Sequence, residues 1–471
     1  MQRTLVVNVA GLSVDLVPEM PSLAALAGRG ACLPMEPVLP ATTLPMQATL
    51  LTGVPPARHG IVANGFYFHD TAEVRFWEQS ARLLAAPRVW DLAAEGRVMP
   101  SRGRLTPSRG RLGHRGGSAR GRRARRPRVA MLFWQLAMYS TADVILTPKP
   151  IHAPGDRLIP DCYSRPADLY RRLADGESSL EPGRPRGPFD LGHYWGPMAG
   201  LASSRWIADA ALAVWREERP DLLLAYLPHL DYSGHREGPA SPRHRAEARA
   251  LDALLAPLLD AAASDGARAV VLSEYSFLPV SRPVALNRAL REAGLLAVRE
   301  VEGCEYLYPG DCRAFAMADN QVAHVYLPAA TDLEAAARKA KRLLARADGV
   351  AEVLDRQGQR ERGLDHVRSG DLVVLAQRDA HFTYYWWLDE AKAPPFARTV
   401  DIHAKPGFDA AELFFDPRRK CIPTTAEAVR GSHGLVLEDG AGWAAFLASD
   451  PPKELAGRKA VQATEVAHLL V

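Results

Sequence analysis

Asp231-Tyr232-Ser233-Gly234-His235 sets a carboxylate and an imidazole four residues apart, directly after the apolar run Leu222 to Leu227. Read as a Ser-Gly turn beyond a buried strand, this segment aims both side chains at one point. Mixed oxygen and nitrogen donors suit zinc or a similar divalent ion, and such a site needs a third protein ligand. His433, within Arg430-Gly431-Ser432-His433-Gly434, is the candidate for that place. An Asp-x3-His pair alone is more often a surface pair than a ligand pair, so its weight comes from the strand before it. Thr43 offers a second kind of chemistry. In Pro40-Ala41-Thr42-Thr43-Leu44-Pro45 it precedes a proline and a helix-compatible segment, and proline is tolerated in a first helical turn. A threonine there serves as a helix cap, yet the same place gathers free N–H groups and positive dipole that suit a phosphate. A hydroxyl is a weak nucleophile until deprotonated. A divalent ion beside it would lower its pKa enough for attack on phosphorus, giving a covalent intermediate that water then breaks.

Other residues carry less. His229 beside the same strand and His403 in Asp401-Ile402-His403 are single histidines of the kind that usually satisfy a structural contact. Phe66-Tyr67-Phe68 reads as packing or as part of a leaving-group pocket. Cys32-Leu33-Pro34-Met35 is similar to the Cys-x-Pro-x-Arg of sulfatases, but Glu36 stands where the arginine is required.

The elements that must position these groups are short. Leu5 to Val9, Leu222 to Leu227 and Ala269 to Ser273 are aliphatic runs too short for buried helices and read as central strands. Apolar runs alternate with amphipathic segments through most of the chain, the pattern of a mostly parallel sheet covered on both faces. In such sheets ligands bind beyond the carboxyl ends of the strands. That directs attention to Ala10-Gly11, Asp231 and Glu274. Residues 203–218 and about 241–263 read as helices that cover the sheet. From about 300 to 400 the texture changes to strand, helix and strand, followed by Tyr384-Tyr385-Trp386-Trp387, which suggests a smaller inserted α+β cap subdomain. The predicted organisation is a core over 1–299, the cap over 300–400, and a return to the core over 401–471 that carries the last ligand. The aromatic run reads as cap core or as a wall for a substrate's ring.

Bulk properties set limits. The 471 residues are 47% hydrophobic and 24% charged, enough for a large core. The net charge of +4 hides an asymmetry: residues 101–128 hold eleven arginines and no acid, leaving 47 basic against 54 acidic residues elsewhere. That tract repeats Ser-Arg-Gly-Arg-Leu and has no apolar surface, so a solvated, disordered loop is expected. An arginine-rich arm for nucleic acid is the alternative; it is disfavoured because no interleaved aromatics are available to stack on bases. Five scattered cysteines without CxxC spacing indicate neither a disulfide framework nor a thiolate metal site. The start, Met1 to Val9, runs straight into a core strand without signal-peptide features, and no apolar stretch is long enough to cross a bilayer. A cytoplasmic chain with no membrane span is expected.

The ordered set Pro40-x-x-Thr43-x-Pro45, Thr52-Gly53, His59-Gly60-Ile61, Asn64, Asp231-x3-His235, Ser273-Glu274-Tyr275 and Gly431-Ser432-His433-Gly434 resembles the nucleotide pyrophosphatase/phosphodiesterases of the alkaline phosphatase superfamily. The resemblance covers nearly the whole chain outside the arginine tract. It implies an alkaline phosphatase-like α/β fold and a metal-dependent hydrolase of phosphate esters or diesters acting on a small phosphorylated substrate. By that resemblance Thr43 is the nucleophile, Asn64 bonds a phosphate oxygen, and Asp231, His235 and His433 hold one zinc. The second half of the site departs from the pattern. Family members place an aspartate before the glycine that ends the first strand and an Asp-His pair after the later strand, where this chain has Ala10 and Glu274-Tyr275. Glu274, with its longer stem, is the remaining candidate ligand there, and Asn8 on the same strand face offers a neutral oxygen. A relative with impaired catalysis, binding a phosphorylated ligand or a protein partner, is the alternative that Ala10 and Tyr275 support.

Overall fold

The computed structural model describes residues 2–94, 126–155, 157–329 and 331–470. All but the last three residues of the arginine-rich tract, 101–128, therefore lie outside the described residues. Among those described, nine strands form one sheet: β1 (Thr4–Val9), β2 (Ala31–Glu36), β3 (Val129–Leu132), β4 (Val144–Pro148), β5 (Cys162–Arg165), β6 (Leu222–Leu227), β7 (Arg268–Leu272), β8 (Ala444–Ala448) and β9 (Val461–Gln462). Their order is β9-β2-β8-β7-β1-β6-β3-β4-β5. The centre, β7-β1-β6-β3-β4, is parallel throughout. β8 runs against both its neighbours and β5 runs against β4. This is the α/β fold with a mostly parallel sheet that the alternating pattern predicted.

Alternation within β1 explains why the sheet is covered on both sides. Leu5, Val7 and Val9 join the apolar cluster of helices α2 (Leu201–Glu217) and α4 (Pro242–Ser264), while Val6 joins Met46 and Leu50 of helix α1 (Thr43–Thr52) on the other face. Strands buried on both faces cannot alternate with polar residues, hence the continuous aliphatic runs. In register, Val9 lies opposite Leu227 and Asn8 opposite Leu272. The three central strands thus end at one level, and Ala10, Pro228 and Glu274 leave the sheet side by side.

A second sheet, four-stranded and antiparallel, orders Phe315–Asp319, Val322–Tyr326, Leu372–Ala376 and Val350–Leu354, with a helix at Leu333–Leu344. It has its own apolar cluster, into which Tyr384, Tyr385, Trp386 and Trp387 are buried, so the aromatic run is core and lines no ring-binding wall. The five cysteines are free. Among the described residues no helix is long and apolar enough to cross a membrane.

Candidate functional site

Helix α1 starts at Thr43, with Thr42 before it in extended conformation, and it is buried along its whole length. Thr43 thereby places its hydroxyl at the first helical residue, where backbone N–H groups have no partner inside the helix. Asn64 is tied to that turn. Its Oδ1 accepts from Leu44 N at 2.9 Å, its Nδ2 donates to Asp319 Oδ1 at 3.0 Å, and its own N–H donates to Asp319 Oδ2 at 2.9 Å. Among the described residues the Asn64 amide nitrogen has one acceptor, Asp319, which leaves its second hydrogen without one beside the helix terminus.

Asp231 and His235 do not sit on a Ser-Gly turn, as their spacing first suggested. They lie on helix α3 (His229–Glu237), separated from the end of β6 by Pro228 alone. Four residues apart on a helix, they share a face. Gly234 is helical because space forbids anything larger: an added Cβ would lie 2.3 Å from the Phe277 ring. Gly431 completes the close approach, since a Cβ there would meet Gly234 O at 2.3 Å. Two glycines thus let the His433 segment run against α3.

That approach brings the three expected ligands together. Asp231 Oδ1 is 3.6 Å from His235 Nε2 and 3.8 Å from His433 Nε2, and one donor atom of each residue lies within 4.8 Å of the others. Both imidazoles are held by their far nitrogens, His235 Nδ1 donating to Gly431 O at 2.9 Å and His433 Nδ1 to Ala41 O at 2.8 Å. A carbonyl can only accept, so each neutral ring carries its proton on Nδ1 and turns an Nε2 lone pair toward Asp231. Among the described residues, the buried His235 Nε2 has no hydrogen-bond partner. Burial holds His235 down at about 4 and pushes His433 further below its ordinary value, while it lifts Asp231 to about 7. An orphaned nitrogen, two pre-set tautomers and a carboxylate form a donor set that fits a divalent ion, and the mixed N/O composition suits zinc.

Glu274, also expected as a ligand, stands apart from this trio. Its Oε1 accepts from Asn8 Nδ2 at 2.7 Å and from Gln47 Nε2, and burial lifts its carboxyl to about 8. The neighbouring Tyr275 lies flat on the His433 ring, with centroids 3.5 Å apart, and its hydroxyl donates to Asp231 Oδ1 at 3.0 Å. The same hydroxyl is 3.3 Å from Thr43 Oγ1. Asn8, Ala10, Gln47 and Glu274 are fully buried. His229 pairs with Glu247 at 2.9 Å and is structural, and His403 is exposed. Three site residues escaped the sequence reading: Gln47, four residues from Thr43 on the same helix face, Asp319, and Tyr275 as a contact in its own right. A cavity of about 790 Å³, bordered by Val38, Leu375 and Leu435, contains none of these groups.

A covered parallel sheet with a threonine at a helix terminus and an Asp-His-His trio at its carboxyl edge defines an alkaline phosphatase-like α/β protein. The model of the type I phosphodiesterase / nucleotide pyrophosphatase family matches residues 4–409, and the chain belongs to that family. Among solved structures, phosphonoacetate hydrolase from Sinorhizobium meliloti 1021 in complex with phosphonoacetate is similar with a TM-score of 0.59 at 18% identity, over 99% of this chain and 95% of that one. Human ectonucleotide pyrophosphatase / phosphodiesterase 5 follows with a TM-score of 0.58 at 14% identity, covering 100% and 94%. Its murine counterpart gives 0.55 at 16% identity with the same coverage.

Proposed function

We propose that the chain is a metal-dependent hydrolase of a phosphate ester or diester, with Thr43 as nucleophile and one divalent ion, zinc by its donor set, held by Asp231, His235 and His433. The observation that carries this reading is the convergence of those three ligands on one point, with Thr43 one hydroxyl away through Tyr275. When bound, the ion supplies a positive charge that polarises a phosphoryl oxygen. The protein groups do the rest. The helix α1 terminus and the free hydrogen of the Asn64 amide face the phosphate oxygens. Thr43 Oγ1 forms a bond to phosphorus as the ester bond to the leaving alcohol breaks, and the proton that the threonine hydroxyl gives up is balanced by the one the departing alcohol takes up. Water then cleaves the threonyl phosphate, returning the hydroxyl and releasing the acid. Two relatives support the chemistry: phosphonoacetate hydrolase was solved with phosphonoacetate, and a threonine-to-alanine form of the murine phosphodiesterase, described as inactive, was solved with AMP. The substrate we assign is accordingly a small phosphorylated molecule.

The test is metal analysis of the purified protein together with turnover of bis-(p-nitrophenyl) phosphate. Wild type should turn over in a chelator-sensitive way, and both Thr43→Ala and His433→Ala should lose at least about a hundredfold, as expected when a nucleophile or a metal ligand is removed. A second reading has its own support in Ala10 and Tyr275: a relative that retains one metal and binds a phosphorylated ligand or a protein partner without cleaving it. A bound ion without turnover would select that reading.

A further inference from the structure

We infer that a cluster of side chains, Tyr275 with Glu274, Asn8 and Gln47, occupies the place of a second metal ion, so that the chain binds one ion and the Thr43 hydroxyl is held by protein groups. The inference rests on the reading of Asp231, His235 and His433 as the metal site. Tyr275 carries the first part of the argument. Its ring is stacked on His433 at an interplanar angle of 2°, which fixes where the hydroxyl points. The hydroxyl then spans the gap between Asp231 Oδ1 at 3.0 Å and Thr43 Oγ1 at 3.3 Å. A second ion placed to touch Thr43 would have to displace it.

Glu274 carries the second part. Its Oε1 takes two amide N–H groups, from Asn8 and Gln47. The orientation of Gln47 is not free, because its Oε1 accepts from Gln135 N at 2.6 Å, which turns the Nε2 group toward Glu274. Two N–H dipoles directed at Glu274 Oε1 satisfy that oxygen, and they present positive hydrogen where a cation would approach. What remains is Asn8 Oδ1 and Glu274 Oε2, both buried without hydrogen-bond partners among the described residues. One neutral amide oxygen and one carboxylate oxygen, with Ala10 contributing nothing, fall short of the three protein ligands a zinc site needs. They are the only handle the cluster gives a harder, oxygen-seeking ion such as magnesium or manganese.

The experiment is metal stoichiometry on the full chain by equilibrium dialysis and elemental analysis, with zinc and, separately, with manganese in excess. One ion per chain is expected with either metal, lost in His433→Ala and retained in Glu274→Gln. Restoring the family's residues by Ala10→Asp, Glu274→Asp and Tyr275→His together should raise the count to two, with circular dichroism showing that the variant is folded. Two ions in wild type, or one ion that persists in His433→Ala and vanishes in Glu274→Gln, overturns the inference, as does a folded triple variant that still takes one. If the triple variant does not fold, the wild-type and single-variant counts decide alone. No ion in wild type refutes the metal site itself and so removes the reading beneath the inference, an outcome separate from all the others.

Discussion

At the scale of single residues the site is governed by burial. Glu274, an ordinary carboxylate near pH 4.3 when free, is lifted to about 8 because its charged form is desolvated, even with two amides bonded to it. In the metal-free folded chain it keeps its proton through a window in which the unfolded chain has lost it. The unfolded state then binds fewer protons, so stability is full below about pH 4.3 and falls as pH rises toward about 8. Glu274→Gln keeps the shape and the oxygen that accepts from Asn8 and Gln47 while removing the titration. The metal-free variant should therefore lose Tm less steeply between about pH 5 and 8 than metal-free wild type. Asp231, lifted to about 7, shares part of this dependence and remains in both proteins, so the difference in slope is the measurement. Equal slopes in thermal melts would show that Glu274 ionises freely in the fold.

At the scale of elements, helix α3 turns a spacing into a site, and one glycine decides whether it can. Alanine normally stabilises a helix by roughly 0.5–1 kcal/mol relative to glycine. Gly234→Ala should do the opposite, because its Cβ would stand 2.3 Å from Phe277 Cε2 and the ring or the helix must move. Overpacking of that kind costs about 1–3 kcal/mol, and a displaced α3 carries Asp231 and His235 with it. The expected result is a lower Tm together with a zinc affinity weakened roughly 10–100-fold, measured by competition with a chelator. Unchanged affinity would mean that Phe277 yields without disturbing α3. The same element shows what was legible beforehand. The strand before it, its carboxylate and its imidazole could be read from aliphatic runs and spacing. The helix itself could not, because Ser233-Gly234 is a turn signal in local propensity and only the Phe277 and Gly431 contacts make the glycine a packing requirement. Gln47 was within reach, being one helical turn from Thr43. Tyr275 was visible only as a missing histidine, since nothing local shows that its ring stacks on a residue 158 positions away in sequence.

At the scale of the whole molecule, the two sheets meet at the site. The hairpin joining Phe315–Asp319 to Val322–Tyr326 pushes its tip into the core: Asp319 accepts from Asn64 N, Asn64 Nδ2 and Asn320 Nδ2, and Gln321 N donates to His433 O at 3.0 Å. Asn320 supports this tip with a left-handed backbone, φ 60°, which asparagine tolerates better than most residues. No periodicity or motif could have linked Asp319 to Asn64, 255 residues apart, because the link exists only once the sheets have docked. Asp319→Ala would leave two buried Asn64 donors without an acceptor, at about 1–3 kcal/mol each. It would also free the amide that holds Leu44 N at the head of α1. Val374→Ala, a buried change in the same second sheet away from this contact, is the control for stability alone. Both variants should melt earlier than wild type. Only Asp319→Ala should speed amide hydrogen exchange at Leu44 and Asn64 and lower kcat/KM on bis-(p-nitrophenyl) phosphate by about tenfold, the equivalent of roughly 1.4 kcal/mol of lost transition-state stabilisation. If the two variants behave alike in exchange and turnover, the hairpin only covers the site, and the geometry of Asn64 is set within the core.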